Sequence, residues 1–311
     1  MKRREFMQKT AWWGALTLVP GLSSCGGSHK SGASPAETQP TATTQSNPIA
    51  PPAGKIPVAF VVSDGAVVID FAGPWQVFQD VWIPSRGRTM DEQMPFQLYT
   101  VGEKLAPVTT SGGMKILPNY TFANAPAPKL IVIPAQNGST PGMLQWITAA
   151  SRHTDVTMSV CTGAFILAKT GLLAGKPATT HHAEYASLAM QFSQVEVKRG
   201  VRFVEAGNLA TSGGLSSGID LALRVVERYF GRKVAMDTAY NMEYQGRGWL
   251  DPAFNQVYDQ PAPAGGQTRC PVCNMEVNTA SAPHSSYKGK TYYFCSADHK
   301  AVFDAAPEKW Q

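Results

Sequence analysis

Ten residues near the middle of the chain constrain it most: Val156-Thr157-Met158-Ser159-Val160-Cys161-Thr162-Gly163-Ala164-Phe165. A β-rich run stops, a cysteine occupies the turn, and small residues lead directly into a helical pattern. This is the layout of a nucleophile elbow, with Cys in place of Ser. A helix N-terminus beside the sulfur favours thiolate over thiol and offers N–H groups to developing negative charge. The competing reading is a buried structural cysteine, since free Cys is among the most buried residue types.

The surroundings suit an elbow. Short β-rich runs at Ile56–Val62, Phe96–Val101, Leu130–Pro134 and Val156–Val160 alternate with helical patterns at Pro74–Val81, Pro141–His153, Thr162–Thr170, Ser217–Phe230 and Lys233–Tyr244. Such alternation predicts an α/β domain over 56–250, with a flavodoxin-like parallel sheet sandwiched by helices. Ligands in these folds bind beyond the carboxyl ends of the strands. Asp70 lies just before Gly73-Pro74 and reads from the residues as the N-cap of a helix opening at that Pro.

At this point the sequence resembles the ThiJ/PfpI superfamily, a branch of the class I glutamine amidotransferase-like fold. The likeness rests on Ser159–Phe165, Gly171–His181, Asp70-Phe71-Ala72-Gly73-Pro74, Ser111-Gly112-Gly113 and Thr211–Asp220, all in the family's order. Within it, isonitrile hydratases and the sensor halves of AraC-type regulators are nearest. The resemblance implies that Cys161 attacks an isonitrile carbon, that Asp70 handles a proton, and that Thr162 positions sulfur and water. It also places His181 near the site; from the residues alone His181 and His182 read equally as structural or exposed. Peptidase-type members carry His directly after the Cys, where this chain has Thr162, so peptidase activity is not expected. Pro134-Ala135-Gln136-Asn137-Gly138 replaces the Pro-Gly-Gly common after the third strand, so a reshaped pocket is expected, with Gln136 or Asn137 entering it.

The chain's ends read differently. Met1–Ser24 has a basic head, with Lys2, Arg3, Arg4 and Lys9, then an uncharged apolar stretch from Ala11 to Ser24. That is the pattern of a secretory signal, and its apolar part is shorter than the roughly 20 residues a permanent span needs. Arg3-Arg4-x-Phe6-x-x-Lys9 resembles a twin-arginine signal, and Leu22-Ser23-Ser24-Cys25 resembles a lipobox, implying lipidation at Cys25. The expectation is an exported protein on the periplasmic side, lipid-anchored, in the outer membrane where one exists. Residues 25–55 are rich in Ser, Thr, Pro, Ala and Gly and read as a disordered linker. The whole sequence has Lys+Arg 27 against Asp+Glu 22, or +5, but residues 1–24 hold 4 of those cations and 1 anion. The remainder is 23 − 21 = +2, which leaves no electrostatic argument for nucleic acid.

After a second linker at 251–267, residues 268–311 form a segment too small to fold easily without a staple. Cys270-x₂-Cys273 and Cys295-x₃-His299 supply one: an S₃N set for a single Zn or Cu ion in a small α+β module. A Cys270–Cys273 disulfide is the alternative in an oxidising compartment. Residues 287–294 read as a hairpin delivering Cys295, and 297–305 as a helix with Phe303 facing the core. From Cys270-Pro271-Val272-Cys273 through Tyr292-Tyr293-Phe294-Cys295 to Pro307-Glu308-Lys309-Trp310 the segment resembles a YHS domain, whose members bind heavy metals and commonly carry Cys where His299 stands. Imidazole there shifts preference from Cu(I) towards Zn(II).

These readings converge on an anchored cysteine enzyme that hydrates isonitriles or related small electrophiles, with no cofactor in the catalytic domain and room for a homodimer. The alternative is a non-enzymatic redox or metal stress sensor. Transcription regulation is not expected, because the 311 − 245 = 66 residues after Gln245 are filled by the linker and the cysteine cluster.

Overall fold

A computed structural model describes residues 48–259, 265–272 and 275–310. The leader, Cys25 and most of the first linker lie outside the described residues, as does Cys273.

The elements that build the larger domain are β1 (Ile56–Val61), α1 (Val68–Gln79), β2 (Phe96–Gly102), β3 (Tyr120–Thr121), β4 (Leu130–Ile133), α2 (Pro141–Ala150), β5 (Val156–Val160), α3 (Gly163–Lys169), β6 (Phe203–Ala206), β7 (Leu209–Ser212), α4 (Ser217–Phe230) and α5 (Arg232–Asn241). Seven strands form one sheet in the order β6-β7-β5-β4-β1-β2-β3. All neighbours are parallel except β6 and β7, which pair antiparallel. The α/β sheet expected from the sequence is therefore present, with an antiparallel edge added. Only Gly207 and Asn208 separate β6 from β7, and so short a connection permits nothing but a hairpin. Gly207 supplies the positive φ the turn needs.

Alternation along the strands explains the two-faced burial. In β1, Val58 and Phe60 join the core under α1 and α4, with Phe71, Val77 and Leu221. Ala59 and Val61 point the other way and pack with Met143, Ile147, Ala164 and Leu167 of α2 and α3. Successive Cβ atoms in a strand face opposite sides, so a sheet covered on both faces needs near-continuous apolar strands. Registers Ile133↔Ser159 and Ser212↔Val160 bring the carboxyl ends of β4, β5 and β7 level. Residues 135, 161 and 213 consequently emerge side by side.

One expected boundary moves. α1 does not open at Gly73-Pro74; it starts at Val68, capped by Val67, and Pro74 lies inside it. Proline removes the N–H that would reach the Asp70 carbonyl. Packing overrides that loss: a Cβ on Gly73 would come within 2.8 Å of Ile219, and one on Gly218 within 3.4 Å of the Pro74 ring. The small residues let α1 and α4 approach closely, and Asp70 falls in the first turn of α1 rather than at its cap.

Residues 251–259 of the stretch read as a linker lie packed on the domain. Arg202 donates its N–H to the Pro252 carbonyl at 2.6 Å, and Asn255 is buried.

The C-terminal module has the pairs β8 (Gln267–Arg269) with β9 (Glu276–Asn278) and β10 (His284–Tyr287) with β11 (Lys290–Tyr293), then α6 (Ala297–Ala305). Lys288 and Gly289, both at positive φ, make the tight turn of the expected hairpin. Ser296 caps α6 by accepting from the His299 N–H at 3.2 Å. Phe294, Phe303, Val277 and Cys270 form the small core, with Phe303 facing inward as its position predicts.

Candidate functional site

Cys161 follows β5 directly and has φ 58, in the left-handed region that non-glycine residues rarely occupy. Its N–H is held by the Gly213 carbonyl at 3.0 Å, and the Thr180 hydroxyl donates to its carbonyl at 3.0 Å. The elbow also needs Gly163: a Cβ there would sit 2.2 Å from the Ile133 carbonyl oxygen, so the start of α3 is pressed against the end of β4. These contacts turn the Cys161 side chain inward, where the residue is 7% exposed.

Asp70 meets it there and is itself 0% exposed. Asp70 Oδ2 accepts the Ala135 N–H at 3.1 Å, while Oδ1 has no hydrogen-bond partner among the described residues. The carboxyl adjoins the Cys161 thiol. Burial pushes the Asp70 carboxyl up to about 6, against smaller lowering contributions from Ala135 and from Cys161. Burial also pushes the Cys161 thiol up to about 12, and the neighbouring Asp70 charge adds to the rise. The N–H groups of Thr162 and Leu215 and the Thr162 hydroxyl pull the other way. Burial thus outweighs the helix N-terminus in setting the direction of both shifts.

Thr162 meets the sulfur through both its N–H and its hydroxyl. His181 stands one layer out. Its Nδ1 accepts the Ala183 N–H at 3.2 Å, and its ring lies against Gly214, where a Cβ would come within 2.3 Å of Cδ2. Burial lowers its pKa, so the imidazole is neutral at neutral pH. No hydrogen bond joins His181 to Cys161 among the described residues. Gln136 and Asn137 are engaged by the loop after β1: Ser63 donates to Gln136 Oε1 at 2.7 Å, and Asn137 lies against Gly65. Sequence reasoning missed Leu215, whose N–H serves the sulfur and whose φ of 49 is as unusual as that of Cys161. Its only signal was the run of small residues around it after β7.

The fold agrees with known proteins. The DJ-1/PfpI family model matches residues 57–228, and the YHS domain model matches 269–311. The chain belongs to the DJ-1/PfpI family. Isonitrile hydratase from Pseudomonas putida is 32% identical over 212 residues, covering 67% of this chain and 85% of that protein. The crystal structure of a ThiJ/PfpI family protein from Pseudomonas syringae superposes with a TM-score of 0.54 at 26% identity, covering 62% of this chain and 77% of that one. The HTH-type transcriptional regulator CdhR of Pseudomonas aeruginosa is 27% identical over 139 residues, which is 43% of this chain and 40% of the regulator.

In the YHS domain, Cys295 Sγ lies 3.1 Å and Cys270 Sγ 3.7 Å from His299 Nδ1. The three ligand atoms fall within 4.8 Å of one another. Two soft sulfurs and an imidazole converging on one point fit a thiophilic ion. Hairpin and helix cap produce the convergence, because β11 delivers Cys295 and Ser296 starts the helix that carries His299.

The Asp70 shift has a sign that can be measured. The folded protein holds this proton more tightly than the unfolded chain between the ordinary 3.8 and about 6. Stability therefore falls as pH rises through that window and stays lowered above it. Asn never ionises, so Asp70→Asn is expected to melt several degrees higher than wild type at pH 7.5, a gain on the order of 2–3 kcal/mol. The gap should close as pH falls towards 4. A variant that melts at or below wild type at pH 7.5 would refute the burial argument.

Proposed function

We propose that the DJ-1/PfpI domain is a cysteine-dependent hydratase converting isonitriles, or closely related small electrophiles, to N-substituted formamides. The observation that carries this reading is the buried pairing of Cys161 with an Asp70 carboxyl that titrates near neutrality; the likeness to an isonitrile hydratase supports it. Cys161 passes its proton to Asp70 and its sulfur adds to the terminal isonitrile carbon. That carbon takes the proton back from Asp70, giving the thioimidate Cys–S–CH=N–R. Water adds across C=N, with Asp70 relaying its proton to nitrogen, and the C–S bond of the resulting adduct breaks. The products are HCO–NH–R and the free thiol, so R–NC plus water is fully accounted for. Thr162 and Leu215 N–H groups hold the sulfur, and Thr162 Oγ1 orients it and the water.

Mixing full-length protein with an aryl isonitrile should give stoichiometric formamide by chromatography, with turnover lost by 10³-fold or more in Cys161→Ala. Asp70→Asn should lower turnover by about 10²-fold or more, the scale of a general acid–base contribution. Wild-type protein that makes no formamide sinks the hydratase reading. If it instead oxidises at Cys161 under mild peroxide, the redox-sensor alternative takes its place.

The YHS domain, in this reading, holds one structural or sequestered ion through Cys270, Cys295 and His299, with Cys273 as the fourth ligand. Zn(II) is favoured over Cu(I) by the imidazole. Elemental analysis should find about one Zn per chain, falling severalfold in Cys295→Ser and His299→Ala. Metal content unchanged in both variants would exclude this site.

We also propose export and lipid anchoring at Cys25. Among the described residues no helix is long and apolar enough to cross a membrane, so attachment on this reading rests on the acyl chains. The protein should fractionate with membranes and incorporate labelled palmitate, and Cys25→Ala should abolish the label. Labelling that survives Cys25→Ala overturns the anchor.

A further inference from the structure

The strongest unexplained feature lies beside the cysteine. Three backbone hydrogen bonds run in series from outside the sheet to the nucleophile. Arg202 donates to the Pro252 carbonyl at 2.6 Å, Gly213 donates to the Arg202 carbonyl at 2.9 Å, and Cys161 donates to the Gly213 carbonyl at 3.0 Å. Arg202 is the middle rung, and its side chain repeats the link. Its Nε donates to Asp220 Oδ2 at 2.6 Å, Nη2 to Ser216 Oγ at 3.2 Å, and Nη1 to Asn255 Oδ1 at 3.4 Å. Asp220 is itself buried, and it accepts from the Tyr244 hydroxyl and the Trp249 N–H, both at 3.1 Å.

A second line of contacts reaches the same loop from its other side. Tyr258 stacks on His182 with ring centroids 4.7 Å apart, His182 lies 4.3 Å from His181, and His181 rests on Gly214. Asn255 closes the space between, with its Nδ2 donating to the Val201 carbonyl at 3.3 Å. The loop held in this way, Gly213–Ser216, contains Leu215 in its left-handed conformation. A strained non-glycine residue persists only where its surroundings over-determine it. The first turn of α4 holds the loop by hydrogen bonds from Ser217, Gly218 and Ile219 to the Gly214, Leu215 and Ser216 carbonyls, and the contacts from 251–259 add to these.

We propose that residues 251–259 form a clamp on the Gly213–Ser216 loop, in which Asn255 and Tyr258 are positioning residues that keep the Leu215 N–H directed at the Cys161 sulfur. The clamp rests on the hydratase reading only in saying what the sulfur is for; its effect on the thiol stands apart from any substrate. It also gives the segment before the YHS domain a task other than spacing two modules.

The test is the second-order rate of Cys161 alkylation by iodoacetamide in the full-length protein, followed on the Cys161 peptide by mass spectrometry from pH 6 to 9. Loss of the N–H donor disfavours thiolate, so the whole pH–rate profile should move to higher pH in Asn255→Ala and Tyr258→Ala. The expected rate at pH 7.5 is fivefold or more below wild type. Tyr258→Phe keeps the stacked ring and should retain the wild-type profile. Tyr258 is 45% exposed, so its variants are expected to fold even where Asn255→Ala does not. Wild-type profiles in folded Tyr258→Ala overturn the clamp, as does a Tyr258→Phe profile equal to that of Tyr258→Ala. A shifted profile in a protein that makes no formamide keeps the clamp and removes the hydratase.

Discussion

The backbone at Cys161 carries the rest of the architecture. A cysteine at φ 58 is held by the Gly213 carbonyl on one side and by the contact of Gly163 with Ile133 on the other. Both contacts exist only because β4, β5 and β7 end at the same level of a parallel sheet. The turn in conformational energy costs on the order of 1–3 kcal/mol, which isolated local structure would not sustain. Sheet register, glycine placement and the loop after β7 therefore act together on one residue.

The chemistry follows from burial more than from helix dipoles. α3 begins immediately after the elbow, and the Thr162 and Leu215 N–H groups favour the charged sulfur, yet burial and the adjacent Asp70 charge push the thiol upward. The same burial raises Asp70 into the range where it exchanges protons at neutral pH. In the proposed hydratase these two neighbouring groups act as the proton-transfer pair. An electrophile whose carbon needs first a nucleophile and then a proton suits that pair better than a substrate needing a standing thiolate.

The YHS domain solves a different problem. Among the described residues its fully buried core is Phe294, Phe303, Val277 and Cys270, with partly buried side chains such as Tyr287, Tyr292 and Trp310 packed around it, a small core for a fold of this length. Cys270 belongs both to that core and to the Cys/His cluster, so an ion held there, as proposed, would couple its affinity to folding.

Much of this was legible in the sequence, for identifiable reasons. Apolar runs and spacing marked β1, β2, β4 and β5, the elbow at Cys161, and the Cys270–His299 ligand pattern, because each is a local signal within a few residues. The start of α1 was not legible: Gly73-Pro74 reads as a helix opening until Ile219 and Gly218, about 145 residues later, are seen packing on it. Leu215 and residues 251–259 escaped for the same reason, since their roles depend on hydrogen bonds to Arg202, Gly213 and Cys161 across the fold. Sequence alone determined which residues carry reactive or ligating atoms, because that is covalent chemistry. Tertiary structure alone decided that Cys161 and Asp70 are buried beside one another with both proton affinities raised, because desolvation and facing carbonyls arise only when distant segments are brought together.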